Sequence, residues 1–273
     1  MRIACERLRP KIMSAEEAAG FITSGSTVGM SGFTGSGYPK AVPLALADRI
    51  KAEQAHGERF RLRVWTGAST GPELDGALAK VDAIEFRLPY NSDPLVRERI
   101  NAGTMDYFDL HLSQVAPLAW QGFLGSLDIA VIEVTGIRPD GGLIPSSSVG
   151  NNKTWLGRAQ KVILEVNSWQ NQALEGMHDI YYGTALPPHR IPIPLTIQMT
   201  GSASRASAVI PTKSFRLWKH TRPIAIYRSR RRTKPPVPSP DTCSNSCTMR
   251  WQRGGCRQSC CRCNPVSATW RMR

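Results

Sequence analysis

One apolar run decides how this sequence folds: Leu127-Asp128-Ile129-Ala130-Val131-Ile132-Glu133-Val134. A strand of a parallel sheet is covered on both faces, so it is built from nearly continuous Val, Ile, Leu and Ala rather than from alternating apolar and polar residues. Residues 161–166, Lys-Val-Ile-Leu-Glu-Val, have the same character. Both segments therefore predict buried strands of a parallel sheet.

Strand and helix patterns alternate on the N-terminal side of this run. Ser14 and Glu17 have the spacing of a capping box, which predicts that a helix begins there. The alternation predicts an α/β fold with a mainly parallel sheet. The predicted strands are 26–33, 61–66, 84–88 and 107–112, and the predicted helices are 14–24, 41–55, 73–81 and 94–102.

The positive charge of the chain is concentrated near its C-terminus. The formal net charge is +14, yet residues 1–198 hold 19 basic and 20 acidic residues, while residues 199–273 hold 16 basic residues and one acidic residue. The C-terminal part is rich in Arg, Pro and Cys, and it buries too little apolar area to offset about 1–2 kcal/mol of backbone entropy per residue. We predict a near-neutral folded domain at 1–197 and a disordered basic tail at 198–273.

Composition also bounds the compartment and the partners. No run of about 18 apolar residues is present, so we expect no membrane span and a cytoplasmic protein. Cys5 is the single cysteine of the N-terminal part, as is usual in a reducing compartment. Among the six tail cysteines only Cys260 and Cys263 have CxxC spacing, and no histidine lies among them, so we expect no metal site. We expect no specific nucleic-acid partner, although a basic nucleic-acid-binding module formed by the tail is an alternative from a different class.

Three loops fall at the carboxyl ends of predicted strands, where ligands bind in parallel α/β folds. Residues 32–40, Gly-Phe-Thr-Gly-Ser-Gly-Tyr-Pro-Lys, precede a helix, and their glycines let backbone N–H groups approach an anion. This segment matches neither the dinucleotide pattern nor Walker A. Residues 67–71, Gly-Ala-Ser-Thr-Gly, offer hydroxyls that suit a small carboxylate, and residues 91–93, Asn-Ser-Asp, can cap a helix at Pro94. Each segment alone is equally consistent with a turn.

Other polar segments favour structural roles. Residues 140–142, Asp-Gly-Gly, predict a hairpin turn, and residues 145–151 predict a structural loop. His111, His178 and His189 are scattered along the chain, and we assign none of them a role.

Taken together, five segments resemble the acetyl-CoA hydrolase/transferase family, and in particular its bacterial succinyl-CoA:acetate CoA-transferase branch. They occur in the family's order, and the resemblance covers roughly residues 3–196. The segments are 31–40, 66–72, 99–103, 146–151 and 165–167.

The resemblance implies a two-domain CoA-transferase fold, of which this chain would hold a truncated N-terminal domain, and a homodimeric parent enzyme. Members of this branch move CoA from an acyl-CoA to a small carboxylate such as acetate or succinate, with CoA as a substrate and no further cofactor. A glutamate attacks the thioester and backbone N–H groups stabilise the oxyanions. An acetyl-CoA hydrolase, in which water replaces the carboxylate, is the alternative within the family. The implied site residues are Phe33, Thr34, Gly35, Gly37, Tyr38, Ser69, Asn91 and Ser92.

The tail contains neither the CoA-binding Gln-Ser-Gly-Val-Gly-Asn segment nor the catalytic glutamate that the family places further along. Back-translated and read one base earlier, residues 198–202 permit Asp-Asp-Arg-Ile-Gly, and residues 259–269 permit the missing CoA segment. These matches lead to the hypothesis of a single-base insertion or deletion between Thr196 and Met199. The chain as written then has no catalytic residue and is an inactive fragment.

Overall fold

The computed structural model describes residues 2–178, 180 and 188, together with the backbone of Ile224–Ser229. The chain divides into two units, Met1–Arg232 and Thr233–Arg273, and every described residue belongs to the first. Ile224–Ser229 forms a strand within the segment that the sequence analysis assigns to the tail. His189 and the remainder of 198–273 lie outside the described residues, so the predicted domain boundary and the predicted disorder stay predictions.

The described strands and helices alternate along the first half of the chain and are joined by short loops. The strands are β1 (Thr27–Met30), β2 (Leu62–Trp65), β3 (Ile84–Leu88), β4 (Asp106–Tyr107), β5 (Leu127–Ile137), β6 (Leu143–Pro145), β7 (Ala159–Asn167) and β8 (Ile224–Ser229). The helices are α1 (Ala15–Ala19), α2 (Ala41–Ala55), α3 (Ala77–Lys80), α4 (Pro94–Asn101), α5 (Leu112–Gln121) and α6 (Asn152–Arg158), and a π-helical turn (Pro72–Gly76) precedes α3.

All of the described strands join one sheet, in the order β4-β3-β2-β1-β5-β7-β8, with β6 attached to β5. β6 pairs with β5 in the antiparallel direction, and the other described strand pairs are parallel. The prediction of a mainly parallel α/β sheet is therefore confirmed. The order reverses direction at β1, which has β2 on one side and β5 on the other. A reversal of this kind leaves a crevice at the carboxyl edge of the sheet, where ligands bind.

The sheet is covered on both faces, as the apolar run predicts. Within β5, Ile129 and Val131 pack on one face, whereas Ala130, Ile132 and Val134 pack on the other. The first face carries buried residues of α1 to α4, and the second carries buried residues of α5 and α6. This alternation with a period of two residues explains why the strand is apolar on both sides.

A glycine in β1 makes room for a tryptophan pair on the second face. A side chain at Gly29 would stand 3.1 Å from the ring of Trp155, which is completely buried. The ring centroid of Trp155 lies 5.8 Å from that of Trp65. The strand therefore needs a residue without a Cβ here for α6 to approach it closely.

Several predicted elements have the predicted bounds and others do not. α2 and β3 coincide with the predictions, and Ser14 and Glu17 form the predicted capping box. The predicted extended segment 107–112 is wrong beyond Tyr107, because His111 caps a helix that begins at Leu112 and that we did not predict. Residues 140–142 form the predicted hairpin turn between β5 and β6, with the Gly142 N–H donating to Asp140 at 2.9 Å. Among the described residues, no helix has the length and apolar character needed to cross a bilayer.

Candidate functional site

The carboxyl edge of the sheet brings together the three loops singled out in the sequence. They follow β1, β2 and β3, which are adjacent parallel strands. The segment between β6 and α6 joins them, because β5 neighbours β1 and β6 pairs with β5. The predicted site segments therefore share one edge of the sheet.

Two serines link the second loop to the third. The hydroxyl of Ser69 accepts a hydrogen bond of 3.0 Å from the backbone N–H of Ser92, and the two hydroxyls lie 2.8 Å apart. Ser69 is buried, whereas Ser92 is exposed at the edge. The pair therefore places one exposed hydroxyl at the edge and fixes it by hydrogen bonds to a buried one.

Asn91 adds a donor beside this pair. Its side-chain oxygen accepts a hydrogen bond of 2.7 Å from the Asp93 N–H, and the residue is 9% exposed. Its amide nitrogen is buried and has no hydrogen-bond partner among the described residues. Buried donors are nearly always satisfied in folded proteins, so this N–H group can take an acceptor that the described residues do not supply.

The first loop projects from the edge as a tight turn. Phe33 and Ser36 exchange backbone hydrogen bonds of 2.9 and 3.2 Å, and Thr34 between them has a positive φ of 54°. Phe33, Thr34 and Gly35 are exposed. The turn is tied to the segment after β6 by a 2.8 Å hydrogen bond between the hydroxyls of Ser36 and Ser147.

Gly37 and Tyr38, the other predicted residues of this loop, are buried. A side chain at Gly37 would overlap Ser148, so the glycine permits close contact with the segment after β6. The Tyr38 hydroxyl donates a 2.7 Å hydrogen bond to Glu73, and burial raises the pKa of this tyrosine above its ordinary value. Both residues therefore connect loops, whereas the exposed part of the site is formed by their neighbours.

A buried charged cluster, which the sequence analysis did not identify, fixes the end of the first loop. The ammonium of Lys40 donates to Glu133 at 2.8 Å and to the Tyr38 carbonyl at 2.7 Å. The fully buried Glu133 carboxylate also accepts from Ser146 at 2.6 Å and from Asn167 at 3.2 Å. The signal in the sequence was a glutamate inside an otherwise apolar strand, because such a charge must be paired.

Glu165, opposite Glu133 in the sheet, holds the start of α2. Its carboxylate accepts hydrogen bonds of 2.9 to 3.1 Å from the backbone N–H groups of Lys40, Ala41 and Val42. Burial raises the pKa of Glu165, the three N–H groups oppose that rise, and the charge of Glu133 adds to it.

The arrangement suits recognition of a small polar ligand. It offers an exposed hydroxyl and a buried amide donor at the edge, while the carboxylate of Glu133 is buried and paired with the partly exposed Lys40. Among the described residues, no cluster of three His, Cys, Asp or Glu side chains could hold a metal ion. The Nε2 of His178 donates a hydrogen bond of 2.6 Å to the Ser146 carbonyl, and this contact fixes the loop.

Fold and candidate site together define a class: parallel α/β domains with polar loops at the carboxyl edge of the sheet, beside the reversal of strand order. Within that class, the chain belongs to the acetyl-CoA hydrolase/transferase family. The model of the family's N-terminal domain matches residues 5–185. The resemblance to this family, stated from the sequence, is therefore confirmed.

Relatives within the family carry both activities in their names. The chain is 39% identical to succinyl-CoA:acetate CoA-transferase of Clostridium kluyveri, over 78% of this chain and 40% of that protein. It is 38% identical to propanoyl-CoA:succinate CoA transferase of Escherichia coli, over 74% of this chain and 41% of that protein. It is also 37% identical to acetyl-CoA hydrolase of Schizosaccharomyces pombe, over 63% of this chain and 34% of that protein. The chain thus spans about two fifths of the length of the first two relatives.

A solved structure shares the fold at lower sequence identity. The crystal structure of RipA from Yersinia pestis superposes with a TM-score of 0.51 and 19% identity, and the match covers 84% of this chain and 46% of that one.

Proposed function

We propose that this chain carries the carboxylate-binding part of an acyl-CoA:carboxylate CoA-transferase of the succinyl-CoA:acetate type. The observation that carries the proposal is the pair Ser69 and Ser92, joined at 2.8 Å beside the amide nitrogen of Asn91, which has no hydrogen-bond partner among the described residues. Hydroxyl and amide donors at one edge match the acceptor oxygens of acetate, succinate or an acyl thioester. The name of the Clostridium relative supports this choice of substrates.

The remaining proposed site residues fall into two groups. Phe33, Thr34 and Gly35 are exposed on the first loop, where they would form a wall of the ligand pocket. Gly37 and Tyr38 hold that wall in place from beneath, through Ser148 and Glu73. The ligand would therefore contact the tip of the loop rather than its base.

The chemistry of the parent enzyme would come from a glutamate that this chain lacks. That nucleophile would attack the thioester carbonyl, expel the CoA thiolate and form an acyl-glutamyl anhydride. The thiolate would then attack the glutamyl carbonyl, which releases the donor carboxylate and leaves a glutamyl-CoA thioester. The acceptor carboxylate would reverse these two steps, giving the new acyl-CoA and the free glutamate. We therefore expect residues 1–273 to have no transferase activity. We also propose that a single-base shift between Thr196 and Met199 separates the folded domain from the tail, and that the parent enzyme is a cytoplasmic homodimer without a further cofactor.

An acetyl-CoA hydrolase is the second candidate, favoured by the hydrolase relatives from several fungi. The two candidates differ in the acceptor. A transferase needs a carboxylate bound at the Ser69 and Ser92 pair, whereas a hydrolase transfers the acyl group to water.

The decisive experiment compares the chain as written with a form whose reading frame is restored after Thr196. The restored form should convert succinyl-CoA and acetate to acetyl-CoA and succinate, and residues 1–273 should not. Ser92→Ala in the restored form should lower kcat/KM for acetate about tenfold through loss of one hydrogen bond to a charged ligand. Ser24→Ala is the matched control, because Ser24 precedes β1 and so lies away from the carboxyl edge of the sheet. It should leave kcat/KM for acetate unchanged.

The outcome also decides between the two candidates. If acetyl-CoA is consumed at the same rate with and without acetate or succinate, the protein is a hydrolase. Exchange activity in purified residues 1–273 would overturn the proposal that the nucleophile is missing.

A further inference from the structure

A buried ion pair lies directly behind Ser69. Asp75, in the π-helical turn, and Arg87, in β3, are both completely buried. The guanidinium makes a bidentate contact, with its Nε 3.0 Å from Oδ1 and its Nη2 3.1 Å from Oδ2 of Asp75. Bidentate pairs of this type fix orientation as well as distance.

The ion pair forms hydrogen bonds with the residues on both sides of Ser69. On one side, the Nη2 of Arg87 donates to the Ala68 carbonyl at 3.3 Å. On the other, Asp75 accepts from the backbone N–H of Thr70 at 2.7 Å and from its hydroxyl at 2.6 Å. The residues immediately before and after Ser69 are therefore attached to the same two side chains.

Arg87 also reaches the third loop. Its Nη1 donates to the Leu88 carbonyl, at the point where β3 ends and the segment leading to Ser92 begins. One guanidinium thus contacts the backbone on both sides of the Ser69–Ser92 hydrogen bond. This geometry sets the separation of the two loops that the serines join.

Stability alone does not account for this arrangement. The attraction within a buried ion pair is largely offset by the desolvation of both charges, and apolar replacements of similar volume are often neutral or stabilising. Both charged groups also contact each other and backbone atoms, and neither is exposed, so they do not contact a ligand directly. The ion pair fixes the positions of the Ala68 carbonyl and the Thr70 N–H on either side of Ser69, and of the Leu88 carbonyl at the start of the third loop.

We infer that Asp75 and Arg87 are positioning residues for carboxylate recognition, acting through the Ser69–Ser92 hydrogen bond. The inference rests on the proposed function, because it assigns the carboxylate to that serine pair. Arg87→Lys keeps the positive charge but cannot contact Asp75, Ala68 and Leu88 together. The variant should therefore lengthen the serine contact and weaken the binding of the carboxylate.

The test uses the whole 273-residue chain. Selective isotope labelling of serine reports the amide resonance of Ser92, and titration with sodium acetate and sodium succinate reports the dissociation constant. Arg87→Lys should move the Ser92 amide resonance in the unliganded chain and raise the dissociation constant for acetate about tenfold.

A matched control separates positioning from a general loss of stability. Asp82 forms an ion pair with Arg61 at 2.5 Å and with Arg99 at 2.7 Å, in the turn before β3 and hence at the opposite edge of the sheet. Asp82→Asn should lower the melting temperature but leave both the Ser92 resonance and the dissociation constant unchanged.

A second variant decides the question if Arg87→Lys does not fold. Thr70→Val removes the 2.6 Å hydroxyl contact with Asp75 and leaves the ion pair intact. It should move the Ser92 resonance in the same direction and raise the dissociation constant about threefold. Folded variants with an unchanged Ser92 resonance would overturn the inference.

Failure of the proposed function has a different signature. If the wild-type chain binds neither acetate nor succinate, the assignment of the carboxylate to the serine pair is overturned. The effect of Asp75 and Arg87 on Ser69 is then decided by the Ser92 resonance alone.

Discussion

The side chain of Glu165 accepts a 2.9 Å hydrogen bond from the backbone N–H of Lys40, a residue 125 positions away in the sequence. Lys40 occupies the N-cap position of α2 and makes no side-chain cap of its own. A strand residue therefore satisfies N–H groups that local capping residues satisfy in most helices. The start of α2 and the end of the first loop are fixed by the same contact.

Glu165→Gln should change the dependence of stability on pH. Burial raises the pKa of Glu165 above its ordinary value of 4.5, so the folded chain binds this proton more tightly than the unfolded chain does. The free energy of unfolding should therefore fall as the pH rises from 4.5 through the folded pKa. The neutral amide should flatten this fall, as measured by urea denaturation at several pH values.

Glu53→Gln provides the control for this experiment. Glu53 forms an ion pair with Arg49 one turn away in α2, at 2.9 Å. In this variant the free energy of unfolding should fall with pH as steeply as it does in the wild type. Equal flattening in both variants would show that the pH dependence does not originate at Glu165.

Gly71→Ala should destabilise the folded chain by about 1–3 kcal/mol, because overpacking a filled site displaces its neighbours. An added Cβ would overlap the hydroxyl end of Tyr38, which is itself held by Glu73. Thermal and urea unfolding measure the loss. Gly35→Ala is the matched control, since no atom lies within 4 Å of the position of its Cβ. A similar loss in both variants would contradict a steric origin.

Much of this fold follows from patterns that are local in sequence. The continuous apolar segments of β5 and β7 predict the parallel sheet, and the periodicity of residues 41–55 predicts α2 with its observed bounds. α5 and α6 were missed. α5 contains Pro117, and its N-cap is His111, a residue that the sequence rules for helix starts do not favour.

The candidate site was predictable as a set of loops but not as a set of contacts. The rule that ligands bind at the carboxyl ends of parallel strands locates the loops of Ser69 and Ser92. Nothing local in the sequence pairs Asp75 with Arg87, or Glu133 with Lys40, because their partners come from different elements. A charged residue within an apolar strand signals that a partner exists, without saying which one.

Asp93→Ala should cost about 1 kcal/mol of stability through loss of a helix cap. The Asp93 carboxylate accepts hydrogen bonds of 2.9 and 3.1 Å from the N–H groups of Leu95 and Val96 at the start of α4. Urea denaturation measures the change. Asp93→Asn retains the accepting oxygen and should cost much less; equal losses in the two variants would show that the cap is not responsible.

The rate at which acetic anhydride acetylates Lys153 should show that the pKa of its amine is lowered. Partial burial in the first turn of α6 lowers the pKa of its amine to about 8. Because only the neutral amine is acylated, the rate at Lys153 should rise with pH and level off above about 8. Peptide mass spectrometry after brief labelling measures it. A rate that keeps rising to about pH 10, as for an ordinary lysine, would contradict the prediction.

The small residue at position 29 has a spectroscopic consequence. Because Gly29 lets Trp155 lie against the sheet, two completely buried indoles face each other at 5.8 Å with a 49° angle between their planes. Neither indole N–H has a hydrogen-bond partner within the described part of the chain. Such a buried, tilted pair gives blue-shifted emission and coupled circular-dichroism bands, whereas the half-exposed Trp169 emits at longer wavelength. The packing of α6 on β1 therefore contributes to the absorption and emission spectra of the unmodified protein.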